Sequence, residues 1–415
     1  MLIQKDFYKW TRLGLINLVV VALLGVLLRY KIAFSFPVVD QKHLLHGHSH
    51  FAFTGWISQI LMTFFIWIVS NKKQEDKFND YKYLLWSNHI VSYLMLFAFT
   101  YQGYGNISIP LSMVSIIIGY LFSIKAWRDI NETDLKISGS YFKAAIIFNF
   151  ISTFGTYWLA YLTARQVINQ KLYLLSVYFY LHFQYNGWFI FSCLGILKYL
   201  LAQHQIEVRH KDKIFAIFSY TLIPCFLLSA LWIKLPIWMY VIVIVAAIFQ
   251  LFAWIWLLIE IKISSNKKFF LFNLQSLLFY LSAIALTIKF LLQALSTIPV
   301  LSTFAFGYRP VVIGYLHLIM LGIITMFILA GLKNIGILPS SSRSKWGIII
   351  FIVGFVLNEF MLLLQALSFL NMVYVSFSNE ILFVIAIVMF IGLSIVLISS
   401  RRVYAASSGV SWNLL

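Results

Sequence analysis

The chain has 415 residues, of which 62% are hydrophobic and only 11% are charged, and its formal net charge is +18. Soluble domains hold nearer half apolar residues and about a quarter charged ones, so this composition excludes a soluble protein and indicates an integral membrane protein. The positive charge does not indicate nucleic-acid binding, because the basic residues collect in one set of loops between apolar runs.

The predicted elements are transmembrane helices, because about twenty apolar residues cross a bilayer as a helix, whereas barrel strands are half as long and alternate in polarity. Twelve such runs follow one another, near residues 13–32, 48–70, 83–102, 107–125, 142–165, 172–201, 213–233, 235–261, 269–295, 310–332, 345–369 and 380–399. The hydrophilic stretches between them are too short to hold a soluble domain. We therefore predict an all-α, polytopic membrane protein of twelve transmembrane helices, forming a single domain over residues 1–415 with a flexible tail at 405–415.

The basic residues are distributed unequally between the two sides of the predicted bundle. By the positive-inside rule, the side that holds most of them faces the cytoplasm, which places both termini there. We expect the membrane itself to be a bacterial inner (plasma) membrane. The basic residues of that side are Lys72, Lys73, Lys77, Lys82, Arg128, Lys136, Arg209, Lys211, Lys213, Lys267, Lys268, Arg343, Lys345, Arg401 and Arg402. The other side carries Arg29, Lys31, Lys42, Arg165, Lys171, Lys234 and Arg309.

One short motif recurs in three predicted helices, a histidine followed five residues later by glycine. The pairs are His50 and Gly55, His182 and Gly187, and His317 and Gly322. They are separated by 132 and 135 residues, which is four predicted helices each time. This spacing predicts three pseudo-repeats of four helices, roughly 1–140, 141–265 and 266–404, with one inward histidine on each of helices 2, 6 and 10. On an ideal α-helix the glycine lies about 140° around from its histidine, where it is expected to admit a neighbouring helix or a flat ligand.

The start of predicted helix 2 gathers four of the nine histidines, at positions 43, 46, 48 and 50. If the helix begins before them, His46 and His50 lie on one face, one turn apart, while His48 points about 160° away from His50. Two imidazoles on one face can hold a metal ion, or one can ligate heme iron. The alternative is a polar cap at a helix end, exposed to water. Histidine is rare in such places, which favours a heme or metal role.

Two further histidines lie inside predicted spans. His317 is about seven residues into helix 10, a depth that suits either an axial heme ligand or an interhelical hydrogen bond. His182 lies near the middle of helix 6, beside Gln184, Tyr185 and Asn186. This polar patch predicts either a functional site that includes a metal ligand or a packing network between helices.

Other polar residues of the predicted spans suggest a path or a charge pair. Asn358 and Glu359 fall in the middle of helix 11, where an acid indicates a proton route or a cation partner, and Tyr185 is a further candidate for such a polar path. Lys289, near the end of helix 9, is expected to reach the membrane surface with its amino group.

The predicted topology and the motifs together resemble subunit I of the heme-copper oxidase superfamily. The segments His46-Gly-His48-Ser-His50-Phe-Ala-Phe-Thr-Gly-Trp56 and Tyr315-Leu-His317-Leu-Ile-Met-Leu-Gly322 look like the heme helices of its nitric oxide reductase and C-type oxidase branches. The resemblance covers the whole chain in topology, but only these short segments in motif.

This resemblance implies one low-spin heme held by two histidines, His50 or His46 from helix 2 and His317 from helix 10. In the family a second helix 10 histidine, two residues from the first, binds a high-spin heme, and Tyr315 stands at that position. The family's copper site takes a helix 6 histidine, matched by His182, and an adjacent pair on the next helix. Residues 213–233 contain no histidine. Copper is therefore not expected, and His182 and His48 are the remaining candidates for another metal.

Three functions follow from these residues. The first is a heme-binding membrane protein that transfers electrons or handles nitric oxide or oxygen without a complete heme-copper centre, so that enzymatic turnover is left open. The second is a metal-ion binding or transport protein that uses the helix 2 histidines and the polar residues of helices 6 and 11. The third is a non-catalytic partner of a respiratory complex. The implied partners are the lipid bilayer and respiratory subunits or a redox donor, not nucleic acid.

Overall fold

The structure, a computed structural model, describes residues 2–264, 273–373 and 375–408. The α-helices of this part are α1 Leu2–Ala33, α2 Gln41–Phe51, α3 Gln59–Lys73, α4 Phe78–Gln102, α5 Ser108–Glu132, α6 Lys136–Ala164, α7 Gln170–His182, α8 Ile190–Gln203, α9 Lys211–Cys225, α10 Ile237–Ser264, α11 Leu274–Leu295, α12 Pro299–Gly307, α13 Arg309–His317, α14 Met326–Asn334, α15 Ser342–Leu370 and α16 Ser378–Ser408. Three π-helices join some of them: π1 Ala52–Ser58, π2 Phe183–Phe189 and π3 Leu318–Thr325. A short 3₁₀-helix, Phe226–Ala230, continues α9.

Eleven helical runs of the described residues are long and apolar enough to cross a membrane. They are Gln4–Ala33, Gln41–Lys73, Ser108–Glu132, Ser138–Ala164, Gln170–Gln203, Lys211–Ala230, Ile237–Ser264, Leu274–Leu295, Arg309–Asn334, Ser342–Leu370 and Ser378–Ser400. The chain is therefore a multi-pass, all-α membrane protein, as the sequence predicts. Helix α4 covers the predicted third span and has 25 residues, but its polar side chains keep it outside these eleven, so the count of twelve remains a prediction.

Some predicted features fall on residues outside the described part of the chain. These are Lys267, Lys268, the start of the predicted ninth span at 269–272, and residues 409–415 of the predicted tail. Residues 405–408 of that tail belong to α16.

The described helices form two compact units, residues 1–122 with 325–415, and residues 123–324. In the first unit α1 packs against α16, which also packs against α15. Helix α3 is buried on every side from Gln59 to Ser70, because its apolar surface extends around the whole helix. In the second unit α6 packs against α7, π2 and α8.

Each π-helix coincides with one copy of the histidine and glycine motif. π1 begins two residues after His50, whereas π2 and π3 begin directly after His182 and His317. A π-helix bonds residue i to residue i+5 instead of i+4. The angle of about 140° between histidine and glycine, which assumes an ideal α-helix, therefore does not apply across these turns. The predicted angle does not apply because each turn of a π-helix is wider than an α-helical turn, and neither hydropathy nor composition reveals a π-helix.

A substitution at Gly187 tests the close packing around π2. An alanine Cβ at this position would stand well inside contact distance of Phe148 Cβ and 3.0 Å from its Cγ. Neither atom is at the flexible end of its side chain, so α6 or π2 must move. We expect Gly187→Ala to lower the free energy of unfolding by about 2 kcal/mol. The measurement is thermal unfolding in detergent.

Gly331→Ala is the matched control, because its Cβ would lie in ordinary contact, 3.4 Å from the Phe64 ring. This variant should be as stable as the parent or slightly more so, since alanine favours a helix by up to about 1 kcal/mol over glycine. Equal stability of both variants would contradict the tight packing of π2.

Candidate functional site

Helix α2 starts at Gln41, ahead of all four clustered histidines, because Asp40 caps its first turn. The Asp40 side chain accepts hydrogen bonds from the backbone amides of Lys42, at 2.8 Å, and His43, at 2.9 Å. An aspartate at this position satisfies amides that the helix itself leaves unpaired. The histidines therefore lie on a helix, and those four residues apart share a face.

Two aromatic rings, Phe99 and Tyr104, contact both His46 and His50, and these four residues form the α2 histidine cluster. The His50 imidazole stacks on Phe99 with ring centroids 4.1 Å apart and planes 6° apart. Its Nε2 lies 3.0 Å from the Tyr104 hydroxyl. The Tyr104 ring meets His46 edge-on, with centroids 4.7 Å apart.

His46 carries the unsatisfied polar atom of this cluster. Its Nε2 is buried and has no hydrogen-bond partner among the residues that the structure describes. A buried nitrogen without a partner costs about 1–3 kcal/mol, which a ligand at this atom would recover. The cluster therefore offers one open imidazole nitrogen and one that Tyr104 engages.

The loop that carries Tyr104 is shaped to meet α2. Gly103 has a positive φ of 63°, and a Cβ there would come within 2.5 Å of the His43 ring, so both backbone shape and space require glycine. Ser108 fixes the loop, since its hydroxyl donates to the Gly103 carbonyl at 2.6 Å and accepts from the Gly105 amide at 2.8 Å.

His48 does not join this cluster. Its ring lies against α1, close to the Val21 backbone and 3.8 Å from a Cβ built on Gly25. The direction agrees with the helical-wheel expectation that His48 points away from His50.

His182 in the second unit has both ring nitrogens engaged. Nε2 lies 2.9 Å from the Leu222 carbonyl oxygen, and Nδ1 lies 3.1 Å from the Asn186 side-chain nitrogen. A carbonyl only accepts and an amide nitrogen only donates, so Nε2 carries the proton and Nδ1 supplies its lone pair. A metal ion at His182 would have to displace one of these partners.

His317 ends α13, is half-buried, and belongs to the second unit, whereas His46 and His50 belong to the first. Each unit is described by itself, so the pairing of His317 with an α2 histidine remains a prediction. Within the described residues, no group of three or more histidine, cysteine, aspartate or glutamate side chains converges as a metal site.

Comparisons with known proteins connect this geometry to a fold. No family model matches the sequence, and no curated protein matches it either. Among solved structures the chain is similar to a heme-copper terminal oxidase, determined as a dimer by cryo-electron microscopy. The TM-score is 0.70 and the identity is 11%, over 97% of this chain and 84% of that chain.

The chain has a heme-copper oxidase subunit I-like fold. At 11% identity the likeness shows the fold alone. The roles of individual residues in this oxidase-like chain therefore have to be argued from their own contacts.

The second unit of the oxidase-like fold holds a buried polar group around Tyr185. The Tyr185 and Tyr315 rings lie 6.4 Å apart at 79°. Lys289 is also buried there, with only 1% of its surface exposed and its Nζ 4.3 Å from the centre of the Phe290 ring. The expectation that this lysine reaches the membrane surface is wrong, because α11 turns it inward and the charge lies over an aromatic face.

Asn358 and Glu359 lie side by side on α15 in the first unit. The Asn358 side-chain nitrogen donates to Glu359 Oε1 at 3.0 Å, and the positive charge of Arg29 acts on the same carboxylate. Both expectations for this acid, a proton route and a cation partner, remain predictions. Tyr185 lies in the other unit, so a path that joins it to Glu359 remains a prediction.

Sequence reasoning missed Tyr104 and Phe99, and it missed the amides of Asn17 and Asn88, which donate to backbone carbonyl groups of π1. Their roles depend on contacts with a different helix, and nothing in the sequence around Phe99, Asn17 or Asn88 marks them. The sequence signal that points to Tyr104 is the Gly103-Tyr104-Gly105 turn directly after an apolar run, which brings an aromatic residue to a helix end.

Removing the cap of α2 tests how firmly the histidine face is held. Asp40→Ala is expected to lower the melting temperature at neutral pH, because the amides of Lys42 and His43 lose their acceptor. The hydrogen bond from the His43 amide is the main reason that the pKa of Asp40 lies below its ordinary value of 3.8. Such a group stabilises the fold above the ordinary pKa, and the contribution disappears as the pH falls through the lowered value.

The difference in melting temperature between parent and Asp40→Ala should thus be constant down to about pH 5 and shrink below the ordinary pKa. Asp40→Asn keeps an oxygen acceptor that does not titrate, so it should retain most of the stability at every pH. A deficit of Asp40→Ala that persists unchanged at the acid end would contradict this role.

Proposed function

We propose that this chain binds one low-spin heme between an α2 histidine, His46 or His50, and His317, and that it passes single electrons in the membrane. The observation that carries the proposal is the buried His46 Nε2, which has no hydrogen-bond partner among the described residues. The likeness to a heme-copper terminal oxidase supports it, because an oxidase of that kind carries heme.

The residues of α2 suit a heme in their chemistry. Neutral imidazoles are the usual axial ligands of low-spin iron, and a buried apolar surround tunes the reduction potential. When bound, the heme supplies reversible one-electron chemistry. If His46 is the ligand, Phe99 and Tyr104 would keep water from its imidazole and would fix the ring of His50 by stacking and by a hydrogen bond. If His50 is the ligand through Nε2, it would have to give up its hydrogen bond to Tyr104.

The second unit supports a function without a complete heme-copper centre. His182 already uses both nitrogens, Tyr315 stands where the resemblance implies a second heme ligand, and residues 213–233 contain no histidine. In this proposal the chain handles electrons or a respiratory gas without reducing oxygen or nitric oxide at copper. The proposal places the chain in the bacterial inner membrane, with both termini in the cytoplasm and with a redox donor or other respiratory subunits as partners. It leaves enzymatic turnover and the identity of these partners open.

A spectrum of the purified protein tests the heme. We expect a reduced-minus-oxidised difference spectrum with a sharp α band and a shifted Soret band, and about one heme per chain by pyridine hemochrome. Titration of heme-depleted protein with hemin should restore the same bands. Bound metal ions without heme would favour the metal-binding alternative, whereas neither heme nor metal would leave a non-catalytic partner of a respiratory complex.

A further inference from the structure

The three π-helices are more than an irregularity of the fold. Well under about 1% of residues in proteins adopt this form, and single π turns occur often at functional sites. Here each π-helix of the described residues starts within two residues of a motif histidine and contains the motif glycine. The same distortion at three equivalent places indicates that it serves the histidine that precedes it.

The wide turn of π1 needs outside donors for its carbonyl groups. The Asn88 side-chain nitrogen, from α4, donates to the Thr54 carbonyl at 3.1 Å. The Asn17 side-chain nitrogen, from α1, donates to the Gly55 carbonyl at 2.5 Å. The Thr54 hydroxyl in turn donates to the His50 carbonyl at 2.8 Å. Side chains thus engage three backbone carbonyls within six residues.

Both asparagines are themselves held in place. Asn17 has none of its surface exposed, and its Oδ1 accepts a hydrogen bond from the Tyr93 hydroxyl at 3.0 Å. Asn88 is 4% exposed, and its side-chain nitrogen also donates to Gln59 Oε1 at 2.7 Å. A buried amide inside a membrane span is costly unless it is paired, and each of these reaches π1 from a different helix.

The form of π1 decides where the α2 histidines point. Helix α3, directly after π1, is fixed by burial on every side. One residue corresponds to about 100° of rotation in an α-helix, so a return of π1 to α-helical bonding would turn His46 and His50 away from Phe99 and Tyr104. π3 has a comparable brace within the second unit, since the Ser282 hydroxyl donates to the Ile323 carbonyl at 2.8 Å.

We propose that Asn17 and Asn88 are positioning residues, which hold π1 in its wide form and so aim the imidazoles of His46 and His50 at their ligand. The orientation does not depend on what the ligand is, but the spectroscopic consequence rests on the proposed heme function. Asn17 and Asn88 act only through the backbone of π1, and neither touches the ligand in this proposal.

The first test requires no heme. Asn17→Leu and Asn88→Leu should accelerate amide hydrogen exchange of residues 52–58 by about tenfold, because loss of one brace eases local opening. In the same two variants, the rate at which diethylpyrocarbonate modifies His46 and His50, followed by mass spectrometry, should differ several-fold from the rate in the parent. Asn149→Leu is the matched control, since it removes an asparagine that pairs with Gln184 in the second unit. It should leave both measurements at the parental values.

Milder variants guard against misfolding. Thr54→Val keeps the shape but removes the hydroxyl that donates to His50, and should show a smaller increase of the same kind. Asn88→Gln keeps an amide donor and should recover most of the parental exchange, whereas Asn88→Asp, which loses that donor, should not.

The second test uses the heme. If the proposed function holds, Asn17→Leu and Asn88→Leu should shift the electron paramagnetic resonance g-values and the midpoint potential of the low-spin heme, and Asn149→Leu should not. Exchange and modification rates in which both asparagine variants match Asn149→Leu would overturn the positioning role. If the exchange and modification rates change in the two asparagine variants but the parent protein takes up no hemin, the heme function is overturned and the positioning role stands.

Discussion

Replacing His317 with alanine is expected to abolish the low-spin heme spectrum. Under the proposed function the imidazole is one of two axial ligands, and a residue that merely supports a metal ligand already changes affinity by about 10- to 100-fold. Loss of the ligand itself should therefore reduce heme content or convert the remainder to a high-spin form. The measurement is a reduced-minus-oxidised spectrum of the variant beside the parent, at equal protein concentration.

Matched alanine variants on α2 identify the opposite ligand. His46→Ala and His50→Ala are alternatives, and the variant that loses the low-spin bands marks the ligand. The open nitrogen of His46 and the hydrogen bond between His50 and Tyr104 make the two residues distinguishable. His48→Ala is the control, because that ring lies against α1, and its spectrum should be unchanged. An unaltered spectrum in His317→Ala would remove this residue from the proposed site.

The membrane class and most helices follow from hydropathy, because apolar length alone decides whether a segment crosses a bilayer. The hydropathy signal is weaker at α4, which covers the predicted third span but is not among the eleven apolar runs, because its polar residues serve neighbouring helices instead of water. Asn88 illustrates this, since its amide donates to π1 and to Gln59. A polar residue inside a span lowers the hydropathy of its own helix. The hydrogen-bond partner that accounts for its presence lies on a different helix.

Helical spacing predicted that His46 and His50 share a face and that His48 points away from His50, but it did not predict the π-helices that follow the motif histidines. The sequence feature that accompanies the π-helices is the spacing of five residues between histidine and glycine. Ideal α-helical geometry gives the wrong angle between these two residues. Lys289 shows the same limit, because a lysine near a helix end is usually able to reach water, yet rotation of α11 buries it. Rotation about a helix axis is set by packing, which one span in isolation does not contain.

Substitution of His182 separates a packing histidine from a metal ligand. His182→Ala would take one hydrogen-bond partner from the Leu222 carbonyl and one from the Asn186 amide, and it would open a cavity among buried side chains. Each unsatisfied group costs about 1–3 kcal/mol, and the cavity adds to this, so we expect the free energy of unfolding to fall by about 3 kcal/mol or more. Thermal unfolding in detergent measures the loss, and elemental analysis measures bound metal.

His182→Gln provides the decisive comparison, because glutamine has both an amide donor for Leu222 and an oxygen acceptor for Asn186 but is a poor ligand for transition metals. If His182 holds helices together, glutamine should restore much of the stability, and the metal content of both variants should equal that of the parent. If it binds a metal, both variants should lose that metal, and glutamine should restore nothing. Both ring nitrogens are already hydrogen-bonded within the protein, which favours the packing role, since binding a metal would break one of these bonds.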